Sequence, residues 1–397
     1  RCAIVTGVQT CALPISVLAS ITSPTLLLDE VRCRRNIRRM AHKAQKFGLS
    51  LRPHAKTHQS LGVARWLREA GVSRLTVSSP AMAEYFAAGG WTDLTLAFPL
   101  NLRALDTLLA LAARIHLQLV VESPDHLQAL RARATQPLDL FLLVDTGAGR
   151  TGLRPEQLEL ARQMVATMEG EAHLRFAGLL THAGHSYHAR GPEAIGRVHR
   201  QSLETLRTFA RGLPAAPPIL SVGDTPCCST QTEYEGIHEI RPGNFVFYDL
   251  MQARIGACRP EDIALGMACP VTALHPERRE AVLHGGAVHL AKDALQDDCK
   301  NLIYGMAVAW TADGWDAGRV LGYVRRLSQE HGILELRPEA MPALRMGELV
   351  CVLPVHACHT ADAVKSYLSL GGERLWMMPP AGFPAPDQPA GGPARYR

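Results

Sequence analysis

The sequence predicts an α/β protein: a TIM-type (β/α)8 barrel over residues 17–250, followed by a mainly antiparallel β domain over residues 251–380. Three observations lead there. Between Ser50 and Arg241, eight short apolar runs alternate with helical patterns. Such alternation requires a parallel sheet, and eight repeats in about 200 residues favour a closed barrel; an open doubly wound sheet is the alternative. After about Phe247 helical periodicity fades, and apolar runs follow one another across Gly, Pro, Asp and His, as antiparallel strands do.

The elements follow in order. Thr25–Leu28 reads as a first strand and is followed by a helix. The eight runs of the alternating part are Ser50–Arg52, Arg74–Val77, Asp93–Ala97, Ile115–Val121, Leu138–Val144, Leu174–Leu180, Pro218–Val222 and His238–Arg241. Leu61, Ala64 and Leu67, and again Leu127 and Leu130, recur at helical spacing between them, and Gln201–Gly212 also reads as helix. The later strands are expected at Ala264–Leu274, Glu280–Leu283, Gly305–Trp310, Arg319–Arg325 and Leu349–Leu353. A tail over 381–397, rich in Pro, Gly and Ala, is expected to be flexible. Residues 1–16 do not begin with Met and lack the pattern of a secretory signal; they resemble translated sequencing-adaptor read-through and read as non-native, a short native strand being the alternative.

Composition narrows the function classes. The 397 residues suggest two or three domains, and 47% hydrophobic with 20% charged residues excludes a long disordered chain, a collagen or a coiled coil. A net charge of +5, dispersed along the chain, gives no reason to expect a nucleic-acid partner. No run of 18 uncharged apolar residues is present, so no membrane span is expected. Ten cysteines without a repeating spacing read as reduced thiols of a cytoplasmic protein.

In a (β/α)8 barrel the chemistry collects at the C-terminal ends of the strands. Here those ends read Arg52-Pro-His-Ala-Lys-Thr-His58, Val144-Asp-Thr-Gly-Ala-Gly-Arg-Thr-Gly152, Thr181-His-Ala-Gly-His-Ser-Tyr187, Ser221-Val-Gly-Asp-Thr-Pro226 and Arg241-Pro-Gly-Asn244. Lys56, just past an apolar strand and between His54 and His58, is expected to be partly buried, which disfavours its charged form and makes it an amine nucleophile for a Schiff base. Gly223, Asp224 and Thr225, with Gly243 and Asn244, follow the last two barrel strands, where barrels bind phosphate through backbone N–H groups. Lysine and phosphate cup together suggest pyridoxal phosphate. His356 and Cys358 follow the run Leu349–Leu353; in an extended segment they would point to one side and could hold Zn2+, with further positions open to water or substrate. His359 and His185 are spare ligands.

These motifs, with Gln329-Glu-His-Gly332 and Pro354-Val-His-Ala-Cys358, make the chain similar to the D-serine dehydratase / D-threonine aldolase family of fold-type III pyridoxal-phosphate enzymes, whose barrel is alanine-racemase-like. The resemblance runs from about Ser23 to Leu375. It implies that Lys56 carries the cofactor and that Gly223, Asp224, Thr225, Gly243 and Asn244 hold its phosphate. It also implies that Tyr187 lies near the pyridine nitrogen, that Arg150 lies near the phenolic oxygen, and that His182 belongs to the cofactor site. His356 and Cys358 match the metal ligands, and a homodimer is implied.

The activity so implied is loss of water from a D-β-hydroxy amino acid, D-serine being the simplest, to give pyruvate and ammonia. Retro-aldol cleavage of D-threonine to glycine and an aldehyde is the alternative. Cys358 favours the dehydratase, since the aldolase branch more often resembles His-x-Asp. A non-catalytic cofactor carrier lacks the roughly 130 residues that follow the barrel here. A racemase needs a second base, for which Tyr248 is the candidate.

Overall fold

Thr25–Leu28, called β1, and helix α1 (Glu30–Lys46) open the part of the chain that the computed structural model describes, residues 17–214 and 216–379. The segment 1–16, the tail 381–397 and the readings attached to them lie outside the described residues.

The alternating part forms eight parallel strands: β2 (Ser50–Leu51), β3 (Leu75–Val77), β4 (Asp93–Pro99), β5 (His116–Val121), β6 (Leu138–Leu143), β7 (Leu174–His182), β8 (Ile219–Gly223) and β9 (Glu239–Ile240). They pair in the order β2-β9-β8-β7-β6-β5-β4-β3. The sheet curls until its edges meet: His54 bridges Thr76, whose N–H donates to Pro53 O at 2.9 Å while Ala55 N–H donates to Thr76 O at 2.8 Å. Strands covered on both faces need apolar residues at nearly every position, and β5 and β6 are buried along almost their whole length. Val120, Phe141, Leu143, Ala177 and Leu180 pack together in this core.

The connecting helices are α2 (Leu61–Glu69), α3 (Pro80–Ala88), α4 (Leu105–Ala112), α5 (Pro124–Arg133), α6 (Leu158–Glu169), α7 (Gly191–Arg211) and the short α8 (Thr225–Thr230). Their starts are written locally. Ser79 and Ser123 each accept a backbone N–H from the first turn and are followed by Pro, which has no N–H to satisfy there. Asp224 caps α8 in the same way.

After helix α9 (Leu250–Ile255) come β10 (Leu265–His275), β11 (Glu280–His284), helix α10 (Ala287–Leu290), the small hairpin β12 (Leu295–Gln296) and β13 (Leu302–Ile303), then β14 (Gly305–Thr311), β15 (Gly314–Leu327), β16 (His331–Leu336), β17 (Leu349–Pro354), helix α11 (Ala357–Val364), β18 (Ser366–Ser369) and β19 (Arg374–Trp376). Nine strands pair in the order β11-β16-β15-β14-β17-β10-β1-β18-β19. Long β10 pairs with β17 through Met267–Pro270 and with β11 through Val271–His275, so six of these strands close on themselves.

The described chain divides into two compact units: one holds Arg35–Val246 and Arg254–Cys258, the other residues 17–34, Phe247–Ala253 and Arg259–Trp376. A single cut near residue 250, as read from the sequence, misplaces β1. It joins the second sheet, antiparallel to β10 and parallel to β18, because three consecutive buried leucines need partners on both edges. Among the described residues, no helix is long and apolar enough to cross a membrane.

Candidate active site

The loop after β2 is pinned by the seam that closes the barrel. Gln59 holds a left-handed backbone (φ 45°) and its side-chain amide donates to Lys56 O at 3.2 Å, fixing the turn from inside. Ala55 and the run Thr57–Ser60 are buried, but the Lys56 side chain is exposed. The expected partial burial of Lys56 is therefore corrected: a long, flexible stem carries its amine out of the packed loop.

Basic side chains from the ends of β2, β6, β7 and β9 gather near that amine. Burial holds His54 well below the usual histidine range, and the charges of Lys56, Arg241, His182 and His58 add to the effect. Burial likewise lowers His182 to about 3, followed by Lys56, Arg150 and Arg241. The two imidazoles are neutral at neutral pH, leaving Lys56, Arg150 and Arg241 as the cations. His182 Nδ1 lies 2.5 Å from Gly223 O, and the Tyr187 ring packs 6.2 Å from the His182 ring. Arg150 is exposed at the end of a loop shaped by Asp145, whose carboxylate accepts the N–H groups of Gly147, Ala148 and Gly149.

The residues expected to hold a phosphate divide by role. Asp224 Oδ1 accepts from Cys227 N at 2.7 Å and from Ser186 Oγ at 3.0 Å, so this buried carboxyl serves as a helix cap. Gly223 packs against Arg241: a Cβ there would lie 3.1 Å from Arg241 Cβ. Thr225 Oγ1 is buried and has no hydrogen-bond partner among the described residues. Gly243 sits so close to the Lys56 loop that a Cβ would lie 3.0 Å from both His54 O and Thr57 Oγ1. Asn244 opens the buried turn that follows. An orphaned buried hydroxyl and an exposed amine, with the arginines Arg150 and Arg241 close to the neutral imidazoles, fit a phosphorylated aldehyde such as pyridoxal phosphate. Cys227 and Cys228 are inert beside it, since burial pushes the Cys228 thiol up to about 12 and Cys227 further in the same direction.

His356 and Cys358 lie on the other unit, and the sequence argument that joined them needs correcting. Their segment is not extended: His356 is the N-cap of α11, and Cys358 lies in its first turn. The strand-to-helix turn brings the two side chains into hydrogen-bonding contact. Burial opposes charge on His356, but the Cys358 bond and charge, with Asp249 and Asp293, outweigh it and raise the imidazole to about 9. Asp293 reaches both His356 Nδ1 (3.4 Å) and His359 Nδ1 (2.7 Å), and Asp293, His356 and His359 offer ligand atoms within 4.8 Å of one another. Imidazole, thiol and carboxylate together suit a borderline-soft cation such as Zn2+. The other spare histidine, His185, lies on the barrel unit against Gly147.

Sequence reasoning passed over three groups. Arg241 appeared only inside a motif. Here it is buried, with Nε donating to Ser221 Oγ at 2.7 Å; Ser221 Oγ donates to Glu239 at 2.7 Å, and Glu239 accepts from Arg52 Nε at 2.7 Å. Asp249, which lies beyond the Arg241-Pro-Gly-Asn244 motif, accepts the N–H groups of Gln252 and Ala357 at 2.9 Å each, which anchors the start of α11. Asp293 had no local signal at all.

Comparison with known proteins adds the following. Residues 28–250 match the family model of the alanine racemase N-terminal domain, and residues 264–370 match a serine dehydratase domain. The chain is 32% identical over 375 residues to the D-threo-3-hydroxyaspartate dehydratase of Delftia sp. (strain HT23), covering 90% of this chain and 96% of that one. It is 24% identical to the D-serine dehydratase of Dictyostelium discoideum, covering 88% of this chain and 93% of that one. Among solved structures, a cysteine-to-alanine mutant of D-threo-3-hydroxyaspartate dehydratase in the metal-free form superposes with a TM-score of 0.81 at 30% identity, over 91% of this chain and 98% of that one.

Proposed function

The chain belongs to the D-serine dehydratase / D-threonine aldolase family of fold-type III pyridoxal-phosphate enzymes, and on that premise we propose that it is a pyridoxal-phosphate- and divalent-metal-dependent lyase that removes water from a D-β-hydroxy amino acid. One observation carries the reading: Lys56 stands exposed among His54, His182, Arg150 and Arg241 at the strand ends of the barrel.

Pyridoxal phosphate, when bound, supplies a covalent anchor for the substrate amine and an electron sink for charge developing at Cα. Thr225 Oγ1 is available to donate to the phosphate, with Arg241 nearby as a buried cation, while Gly243 lets the Lys56 loop pack against this turn. Lys56 is the amine to receive the Cα proton. His54 and His182, held neutral, add no competing charge beside it. A divalent metal, when bound, supplies Lewis-acid chemistry for a hydroxyl leaving group. Its holders are His356 and Cys358, with Asp293 and His359 beside them.

D-serine and D-threo-3-hydroxyaspartate are the substrates to compare, since relatives carry both names. The relatives' names favour a lyase over the racemase reading, whose candidate base Tyr248 is 4% exposed. The deciding experiment incubates the holoenzyme with D-serine, D-threo-3-hydroxyaspartate and D-threonine, with and without chelator, and identifies products. Keto acid and ammonia are expected, and only with metal present. Glycine and an aldehyde would instead establish the aldolase.

A further inference from the structure

The Gln329-Glu-His-Gly332 motif has no part in the chemistry above, yet it lies in a closely built corner of the second unit. The turn between β15 and β16 packs against the end of β11 and the start of α10 with almost no space between backbones. A Cβ on Gly286 would lie 2.4 Å from Gln329 O, and one on Gly332 would lie 2.6 Å from Gly285 O. Three hydrogen bonds lock the segments: Gly285 N to Glu330 O at 2.9 Å, Ala287 N to Ser328 O at 2.8 Å and Val288 N to Gln329 O at 3.2 Å.

That backbone arrangement brings three ligand-type side chains together. His284 Nε2 lies 3.7 Å and His289 Nε2 3.8 Å from the same Glu330 oxygen. One donor atom from each residue lies within 4.8 Å of the others, and the two rings stand edge to face at 5.6 Å. These separations are too long for direct hydrogen bonds. They are close to what a shared ion needs, since metal–ligand bonds of about 2.0–2.2 Å place donors roughly 3.3 Å apart in a tetrahedron. His289 Nδ1 is buried and has no hydrogen-bond partner among the described residues, so the fold does not hold this ring in place through that nitrogen.

We propose that His284, His289 and Glu330 form a second divalent-cation site, separate from His356 and Cys358, which takes a Zn2+-type ion on two imidazoles and one carboxylate with water completing the shell. The ion clamps α10 to the β15–β16 turn. The end of α10 is in turn tied to α11, whose Thr360 Oγ1 donates to Leu290 O at 3.1 Å.

Equilibrium dialysis of the full chain against Zn2+ and Co2+ tests this. The double variant His356→Ala/Cys358→Ala removes the thiolate site and should still bind about one cation per chain, with a Co2+ spectrum lacking thiolate charge-transfer bands. Adding Glu330→Gln should abolish that binding and the rise in melting temperature that Zn2+ gives the double variant. Glu330 is exposed, so this change keeps the fold testable where His289→Ala does not. Glu330→Gln alone should lower the stoichiometry while keeping the thiolate bands. A double variant that binds no cation, or whose cation survives Glu330→Gln, overturns the site. Neither result bears on the proposed lyase activity.

Discussion

Lys56 is held by its loop and exposed to solvent, which suits a lysine that must bind a cofactor covalently and later act as a base. Lys56→Ala should abolish the visible absorbance of the bound cofactor and the adduct trapped by borohydride; an adduct on another lysine would reassign the site. Thr225 makes a finer test. Its hydroxyl is buried without a partner among the described residues, so Thr225→Val should leave the cofactor-free protein as stable as before, or more so. Affinity for pyridoxal phosphate should fall about 10- to 100-fold, the equivalent of one hydrogen bond to a charged group. Fluorescence titration measures the affinity and urea unfolding the stability. Equal affinities would place the phosphate elsewhere.

At the scale of elements, the starts of β4, β5 and β6 are joined by charge. His116 Nε2 lies 2.6 Å from Asp139, and Asp93 accepts from Arg52 Nη1 at 2.6 Å. Hydrogen bonds to Asp139 and Asp93 lift His116 to about 9. Burial opposes the charge on Asp93, but bonds from His116 and Arg52 prevail and hold it at about 2. A raised histidine stabilises fully below its unfolded value of about 6.5 and loses that contribution as pH rises through 9. A depressed aspartate stabilises above about 3.9 and loses that contribution as pH falls through 2. His116 is 44% exposed, so its share is below about 1 kcal/mol. The difference in urea midpoint between the wild type and His116→Gln should therefore be largest near pH 6 and vanish by about pH 10. A difference independent of pH would refute the ion-pair account.

At the scale of the whole molecule, the Lys56 site and the His356–Cys358 pair belong to different compact units. Their ligands should therefore be separable. Chelation should stop product formation yet leave the cofactor absorbance intact, and Cys358→Ala should weaken metal binding severely. Exchange of the Cα proton into deuterated solvent should survive chelation better than product release does. Parallel loss of both rates would give the metal a role in holding substrate rather than in breaking the C–O bond. Full keto-acid production by metal-free protein would remove it from catalysis.

The strand–helix alternation and Lys56 with its glycine-bearing strand ends were legible in the chain. Each depends on properties a short segment carries by itself: the period of its apolar residues, or a residue type just past an apolar run. What stayed hidden depends on distant neighbours. The sheet that β1 joins is set by β10 and β18, and the exposure of Lys56 by how the barrel mouth packs around its loop. Arg52 finds Glu239 across 187 residues of chain, and Asp293 meets His356 across 63. Sequence by itself determined which segments form strands and helices and which residue types stand at their ends. Only tertiary structure decided which charges meet, because electrostatic partners are chosen by distance in space and a folded chain makes that independent of distance in sequence.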